Sequence, residues 1–99
     1  MIGNHLITIS PTARVSQHPD ALATDVGEVI VILQTQTGMF HQLNGVGSLL
    51  WRQLAEPIDF EALGKRADAL FDGDRDVRTR DIIDFLQALD GQGLVVIEP

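Results

Sequence analysis

The chain of 99 residues contains no cysteine, which excludes disulfide bridges, thiolate metal centres and cysteine nucleophiles together. It is also short of cations: seven Lys and Arg stand against fourteen Asp and Glu, a net charge of −7. Affinity for a phosphate backbone comes mostly from Lys and Arg that displace counterions, so nucleic acid is not an expected partner. Long apolar runs are missing as well. No stretch approaches the roughly 20 apolar residues that span a bilayer, and Met1 to Ser10 lacks the basic region and apolar core of a signal peptide. No membrane partner and a cytoplasmic location are therefore expected. Long polar runs poor in aromatics are equally absent, and a hydrophobic fraction of 44% is that of a chain that folds. A single domain over residues 1–99 is expected, with residues 1–20 as an N-terminal extension or edge strand. Its core is thin, and an enclosed catalytic cavity is hard to accommodate in it.

What is present changes character near Asn44, with strand-forming residues before it and helix-forming residues after. Leu6 to Ser10 is short and β-branched, Pro11 interrupts it, and Arg14 to Gln17 continues as a ragged edge. Ala21 to Thr24 is weakly extended. Glu28-Val29-Ile30-Val31-Ile32-Leu33 is almost continuously apolar, the pattern of a central strand buried on both faces. Thr35 to Gly38 supplies a turn, and Met39 to Leu43 resumes in extended form, so the two runs read as a hairpin. Asn44 is placed to cap a helix over Gly45 to Ala55, whose Val46, Leu49, Leu50 and Leu54 recur at helical spacing. A second helix starts at Asp59, carries Phe60, Leu63, Ala67, Leu70 and Phe71, and ends near Asp72. A third, capped by Asp76, runs from Val77 to Asp90 and stops at Gly91 and Gly93. Leu94 to Ile97 is a final strand. The expected fold is α+β: an N-terminal three-stranded antiparallel sheet followed by three helices, in a small winged helix-turn-helix-like domain.

No catalytic constellation stands out. His5, His18 and His41 lack the spacing of a helical metal site, no Gly-x-Ser-x-Gly elbow occurs, and the glycines form no phosphate-binding loop. Asp68, Asp72, Asp74 and Asp76 alternate like calcium ligands, but the loop's glycine falls second and Ile83 stands where the closing Glu belongs. A solvated loop with a helix cap explains that cluster better. Neither cofactor nor metal is expected, and the chain is read as non-catalytic.

Two surfaces are more informative. The third helix has too many apolar residues for one stripe: Ile82, Leu86 and Leu89 share a face, with Phe85 to one side and Ile83 to the other. Such a helix either sits deep in a core or offers a second face to a partner. The edge strand Met39 to Leu43 has neither the charge nor the proline that blunts such edges, so it is either covered by an N-terminal strand or open to an added one. Trp51, in register with apolar neighbours, reads as a core residue.

These residues also carry a resemblance. Thr37-Gly38-Met39-Phe40-His41-Gln42-Leu43-Asn44, followed by Leu50-Trp51, resembles the "tG-x-[YF]-x-x-LN … W" signature of PqqD-like proteins, the recognition elements of ribosomal peptide (RiPP) biosynthesis. Asp81-Ile82, Phe85-Leu86, Leu89 and Gly93-Leu94 resemble that family's ending, and the likeness covers about residues 21 to 97. It implies a domain that binds the leader segment of a precursor peptide by strand addition and delivers it to a modifying enzyme. Carried over, Gly38, Met39, Phe40, His41, Gln42 and Leu43 form the pairing edge. Phe85 and Ala88 form an apolar wall, and Asp81 and Asp84 supply polar contacts. Within the family the hairpin most resembles the stand-alone partner of the lasso peptide leader protease, with Phe40 where a tyrosine is common. A peptide chaperone for a radical SAM enzyme shares the same pattern, and a winged-helix DNA-binding regulator is the remaining alternative. An open edge also admits a homodimer.

Overall fold

A computed structural model describes residues 9–99, so Leu6, Ile7 and Thr8 of the first expected strand, and His5, lie outside the described residues. The order is β1 (Arg14–Gln17), β2 (Ala21–Val26), β3 (Val29–Gln34), β4 (Met39–Leu43), α1 (Gly45–Gln53), β5 (Ile58–Asp59), α2 (Phe60–Leu70), α3 (Arg75–Gly91) and β6 (Val95–Glu98). The strands form two antiparallel sheets of three, β2-β3-β4 and β5-β1-β6. The expected three-stranded sheet, with β3 in its centre, is the first of these.

Arg14–Gln17 is not a ragged edge. It is the middle strand of the second sheet, where Val15 stands opposite both Ile58 and Ile97. Its partners lie far along the chain, and local pattern cannot reveal them. The caps show a similar refinement. Asp59 Oδ1 accepts from Ala62 N at 2.7 Å, as expected for α2. Asp74, not Asp76, caps α3, accepting from the amides of Asp76 and Val77, so the helix begins two residues earlier than the sequence indicates. Asn44 occupies the cap position of α1 without a side-chain bond to it.

The core lies between the sheets and the helices. Ile30 and Ile32 of β3, Leu50, Trp51 and Leu54 near α1, Leu63 of α2, Ile82, Leu86 and Leu89 of α3, and Val15, Leu94 and Val95 of the second sheet are all buried in one cluster. Trp51 is therefore a core residue, as its register indicates. The side chain of Gln17 donates to Trp51 O at 3.0 Å, and Gln17 N donates to Leu54 O at 3.2 Å, tying the second sheet to α1 and its C-cap.

The main departure concerns β3. Its burial alternates strictly, with Ile30, Ile32 and Gln34 buried and Val29, Val31 and Leu33 half-buried, so it is covered on one face rather than two. The outer face of β2-β3-β4 carries an apolar row, Leu22 opposite Leu33 opposite Phe40. Leu22 and Val26 are each 58% exposed and Phe40 68%. Nothing among the described residues covers this face.

Candidate functional site

Backbone hydrogen bonding determines what β4 offers. Thr35 N donates to Asp20 O at 2.9 Å, so odd-numbered residues of β3 turn their amides and carbonyls toward β2. Gly38 N donates to Gln34 O at 2.8 Å, in a turn that Gly38 closes with φ +74°, so the even-numbered residues face β4. In the β3–β4 register, Met39, His41 and Leu43 oppose Gln34, Ile32 and Ile30 and take up those bonds. Phe40 and Gln42 are left with N–H and C=O directed away from the sheet. Among the described residues no strand pairs with them.

Side chains alternate with the same period. Met39, His41 and Leu43 lie on the inner face with the buried residues of β3, whereas Phe40 and Gln42 point to the outer face. The structure thus divides the residues that the sequence groups together. Phe40 contributes backbone to the edge, but its ring is on the side remote from α3.

β4 packs closely on β3, and its backbone approaches α3 far less. Where the two approach, at the Leu43 end, the bridge is Gly47: a Cβ added there would stand 3.3 Å from the Phe85 ring and 3.8 Å from Leu43 Cδ2. Phe85, half-buried, is in this way a wall of the gap. Asp81, Asp84, Phe85 and Ala88 fall at i, i+3, i+4 and i+7 of α3 and share one stripe. Asp84 and Ala88 are exposed, and neither lines the groove described next.

Beyond Phe85 the gap opens into a groove of about 690 Å3 lined by Val46, Leu70, Phe71, Val77, Asp81 and Phe85 among others. Val46, Leu70 and Val77 are large apolar side chains exposed to it. The sequence does not single these out, because Val46 and Leu70 fit the core stripes of their own helices. Their exposure is a consequence of how α1, α2 and α3 meet.

The α2–α3 junction that forms one wall is held electrostatically. Arg78 donates to Phe71 O and Gly73 O, each at 3.3 Å, and to Asp68, which also pairs with Arg75 at 3.0 Å. The hydrogen bond from Arg78 keeps the Asp68 carboxyl below its ordinary value of 3.8; partial desolvation opposes this, and the charge of Arg75 adds to it. A carboxyl lowered on folding stabilises the fold above its unfolded value, and that contribution is lost as pH falls through the folded value. Asp68→Asn is accordingly expected to lower the melting temperature near neutral pH. The difference from the parent chain should shrink as pH falls below 3.8 and the folded-state carboxyl takes up its proton, as read from thermal melts across the acid range.

The acidic residues otherwise behave as caps and solvated charges. Among the described residues no group of three His, Cys, Asp or Glu side chains is placed to hold a metal ion, and no helix is long and apolar enough to cross a membrane.

An open strand edge beside a half-buried aromatic on α3, within an α+β domain of two small sheets, is a geometry suited to taking an added strand. The chain belongs to the PqqD family: the family described as Coenzyme PQQ synthesis protein D (PqqD) matches residues 29–95. A solved structure described as TbiB1 in complex with the TbiA(beta) leader peptide is 30% identical. It superposes with a TM-score of 0.75 over 81% of this chain and 93% of that one. A second, described as lasso peptide synthetase B1 complexed with the leader peptide, shares the fold at 18% identity, with a TM-score of 0.72 over 83% of this chain and 96% of that one. No curated protein matches the sequence.

Proposed function

We propose that this chain binds the leader segment of a ribosomally made precursor peptide as an added strand on β4 and delivers it to a modifying enzyme, the leader protease of lasso peptide biosynthesis. The observation that carries this reading is the pair of outward-facing backbone amides and carbonyls at Phe40 and Gln42, beside the gap that separates β4 from α3. Main-chain bonds supply affinity, and alternate side chains of the peptide are selected by what they meet. Inward-pointing residues of the peptide would meet His41, Leu43 and Phe85, and the groove beyond Phe85 would take an apolar side chain next to the paired segment. Asp81 stands at that groove, and Asp84 and Ala88 continue its stripe along α3.

In this reading the chain does no chemistry itself; it raises the concentration of the leader at the enzyme. The outer face of the sheet supports a second contact. It measures about 14 by 20 Å for three strands of five or six residues. Leu22, Thr24, Val26, Val29, Val31, Leu33, Phe40 and Gln42 all lie on it, and none is charged. That area falls short of the roughly 800 Å2 per partner of a stable complex, but a bound leader extends the same face by one strand. A peptide chaperone for a radical SAM enzyme, which the PqqD family match supports, differs only in the enzyme served. A homodimer through β4 would occupy the same backbone groups as the peptide. A DNA-binding role finds little support, because Arg75 and Arg78 of α3 are both engaged by Asp68.

The test is a titration of isotopically labelled protein with the leader of the short precursor encoded beside this chain, followed by leader cleavage with the co-encoded protease. Amide shifts concentrated in Gly38 to Leu43 and along α3 are expected. Phe40→Asp is expected to bind the leader within about threefold of the parent but to slow cleavage at least tenfold. No shifts at peptide excess would refute strand addition, and undiminished cleavage would refute docking on the outer face.

A further inference from the structure

We infer that Gln34 is a positioning residue, setting the distance between the strand-accepting edge of β4 and helix α3. The inference rests on the peptide-binding reading above and concerns what gives that site its width. Gln34 is one of two buried polar side chains among the described residues, 4% exposed at the end of β3. Its Nε2 donates to Gly93 O at 2.9 Å, and its Oε1 accepts from Gln36 N at 2.6 Å. Its own backbone carbonyl accepts from Gly38 N. One residue thus ties the turn that starts β4 to the junction where α3 gives way to β6.

Among the described residues, two side-chain hydrogen bonds link the β2-β3-β4 sheet to the helical half. The other, Arg52 to Asp25, is exposed and lies on β2, the strand farthest from the site. Besides the buried core they share, sheet and helix are joined near the site at two points. One is the Gly47 contact with Phe85 and Leu43, at the end of β4; the other is the Gln34 to Gly93 bond, at its start. These points are one strand length apart, roughly 13 Å for the five residues of β4. Between them the β4 backbone makes few close approaches to α3, so a peptide strand enters a gap whose two ends are already set.

The fit at Gly93 is specific to the pair. Gly93 has φ +72°, and a Cβ there would stand 3.1 Å from Gln34 Nε2, close enough to push the amide by a few tenths of an ångström, so glycine suits the position both in backbone and in space. A leader that docks on a pre-spaced gap loses less entropy in ordering the site, so the clamp contributes affinity without touching the peptide.

The experiment compares the parent chain with Gln34→Met, which removes both side-chain bonds at nearly constant volume. Leu63→Val, a substitution at a fully buried position of α2 outside the groove, serves as a control for stability. Each is titrated with the fluorescein-labelled leader of the neighbouring precursor, and backbone amides are monitored by relaxation dispersion without peptide. Gln34→Met is expected to bind about tenfold more weakly. It is also expected to show new microsecond-to-millisecond exchange at Met39 to Leu43. Leu63→Val, although its melting temperature falls, should bind as the parent does and show no such exchange. Equal binding by Gln34→Met and the parent overturns the inference, as does an equal loss in Leu63→Val. If the parent itself binds no leader, the peptide-binding reading fails, and the inference with it. Should Gln34→Met not fold, Gln34→Asn carries the same comparison, because it keeps the polarity and withdraws the amide by one methylene.

Discussion

Gln42→Pro is expected to weaken leader binding about a hundredfold while leaving a folded chain. The Gln42 amide points away from β3, so no bond within the sheet is lost, and proline is tolerated on an edge strand where its missing N–H faces outward. The peptide, however, loses one main-chain bond, and the carbonyl it brings to that position is buried without a donor. A neutral hydrogen bond is worth about 1 kcal/mol, and an unsatisfied buried group costs about 1–3 kcal/mol, which together give the expected hundredfold. His41→Pro makes the necessary contrast. The His41 amide belongs to the β3–β4 ladder opposite Ile32, so proline there breaks the hairpin itself. Loss of binding in that variant would reveal nothing about the edge. Circular dichroism and a fluorescence titration on the two proteins check both statements. Unchanged affinity in a folded Gln42→Pro would show that the peptide does not pair with β4.

Phe85→Asp has the second large effect, because Phe85 is where the edge, α1 and α3 come closest. Its ring lies against Gly47 and faces the groove. Removing the apolar contact is worth about 1.5–3 kcal/mol for a ring that a peptide buries fully, equivalent to ten- to a hundredfold in affinity. The new carboxylate also joins Asp81 and Asp84 on one stripe and would favour a neutral or basic peptide segment there. Since Phe85 is only half-buried, the melting temperature should fall by several degrees rather than collapse. Phe85→Leu, which keeps most of the apolar area, should recover the greater part of the affinity. Calorimetric titration and thermal melts on the pair would check this, and equal affinities in all three proteins would remove Phe85 from the site.

Much of the fold was legible because its elements announce themselves locally. The apolar run over β3, the turn ending in Gly38, and the cap at Asp59 each occupy a few consecutive residues. The helical stripe of α3 is almost as local. The pattern puts the α3 cap two residues late because Asp74 and Asp76 both satisfy it, and only the direction of the carboxylate separates them. β1 looks like a ragged edge for a stronger reason: a four-residue strand acquires its character from Ile58 and Ile97, which are remote in sequence.

For the site, the sequence alone determined the two elements that matter, the unblunted strand Met39–Leu43 and the over-apolar helix carrying Phe85, since both are matters of residue type and period. Only the tertiary structure decided which backbone groups of that strand point outward. Hydrogen-bond parity is transmitted from Asp20 through Thr35 and from Gln34 through Gly38, and it cannot be counted without the register. Tertiary structure likewise left Val31 and Leu33 only half-buried. The pattern of β3 calls for cover on both faces, but the helices are all on one side of the sheet, and an apolar strand cannot state which of its faces the rest of the chain will reach.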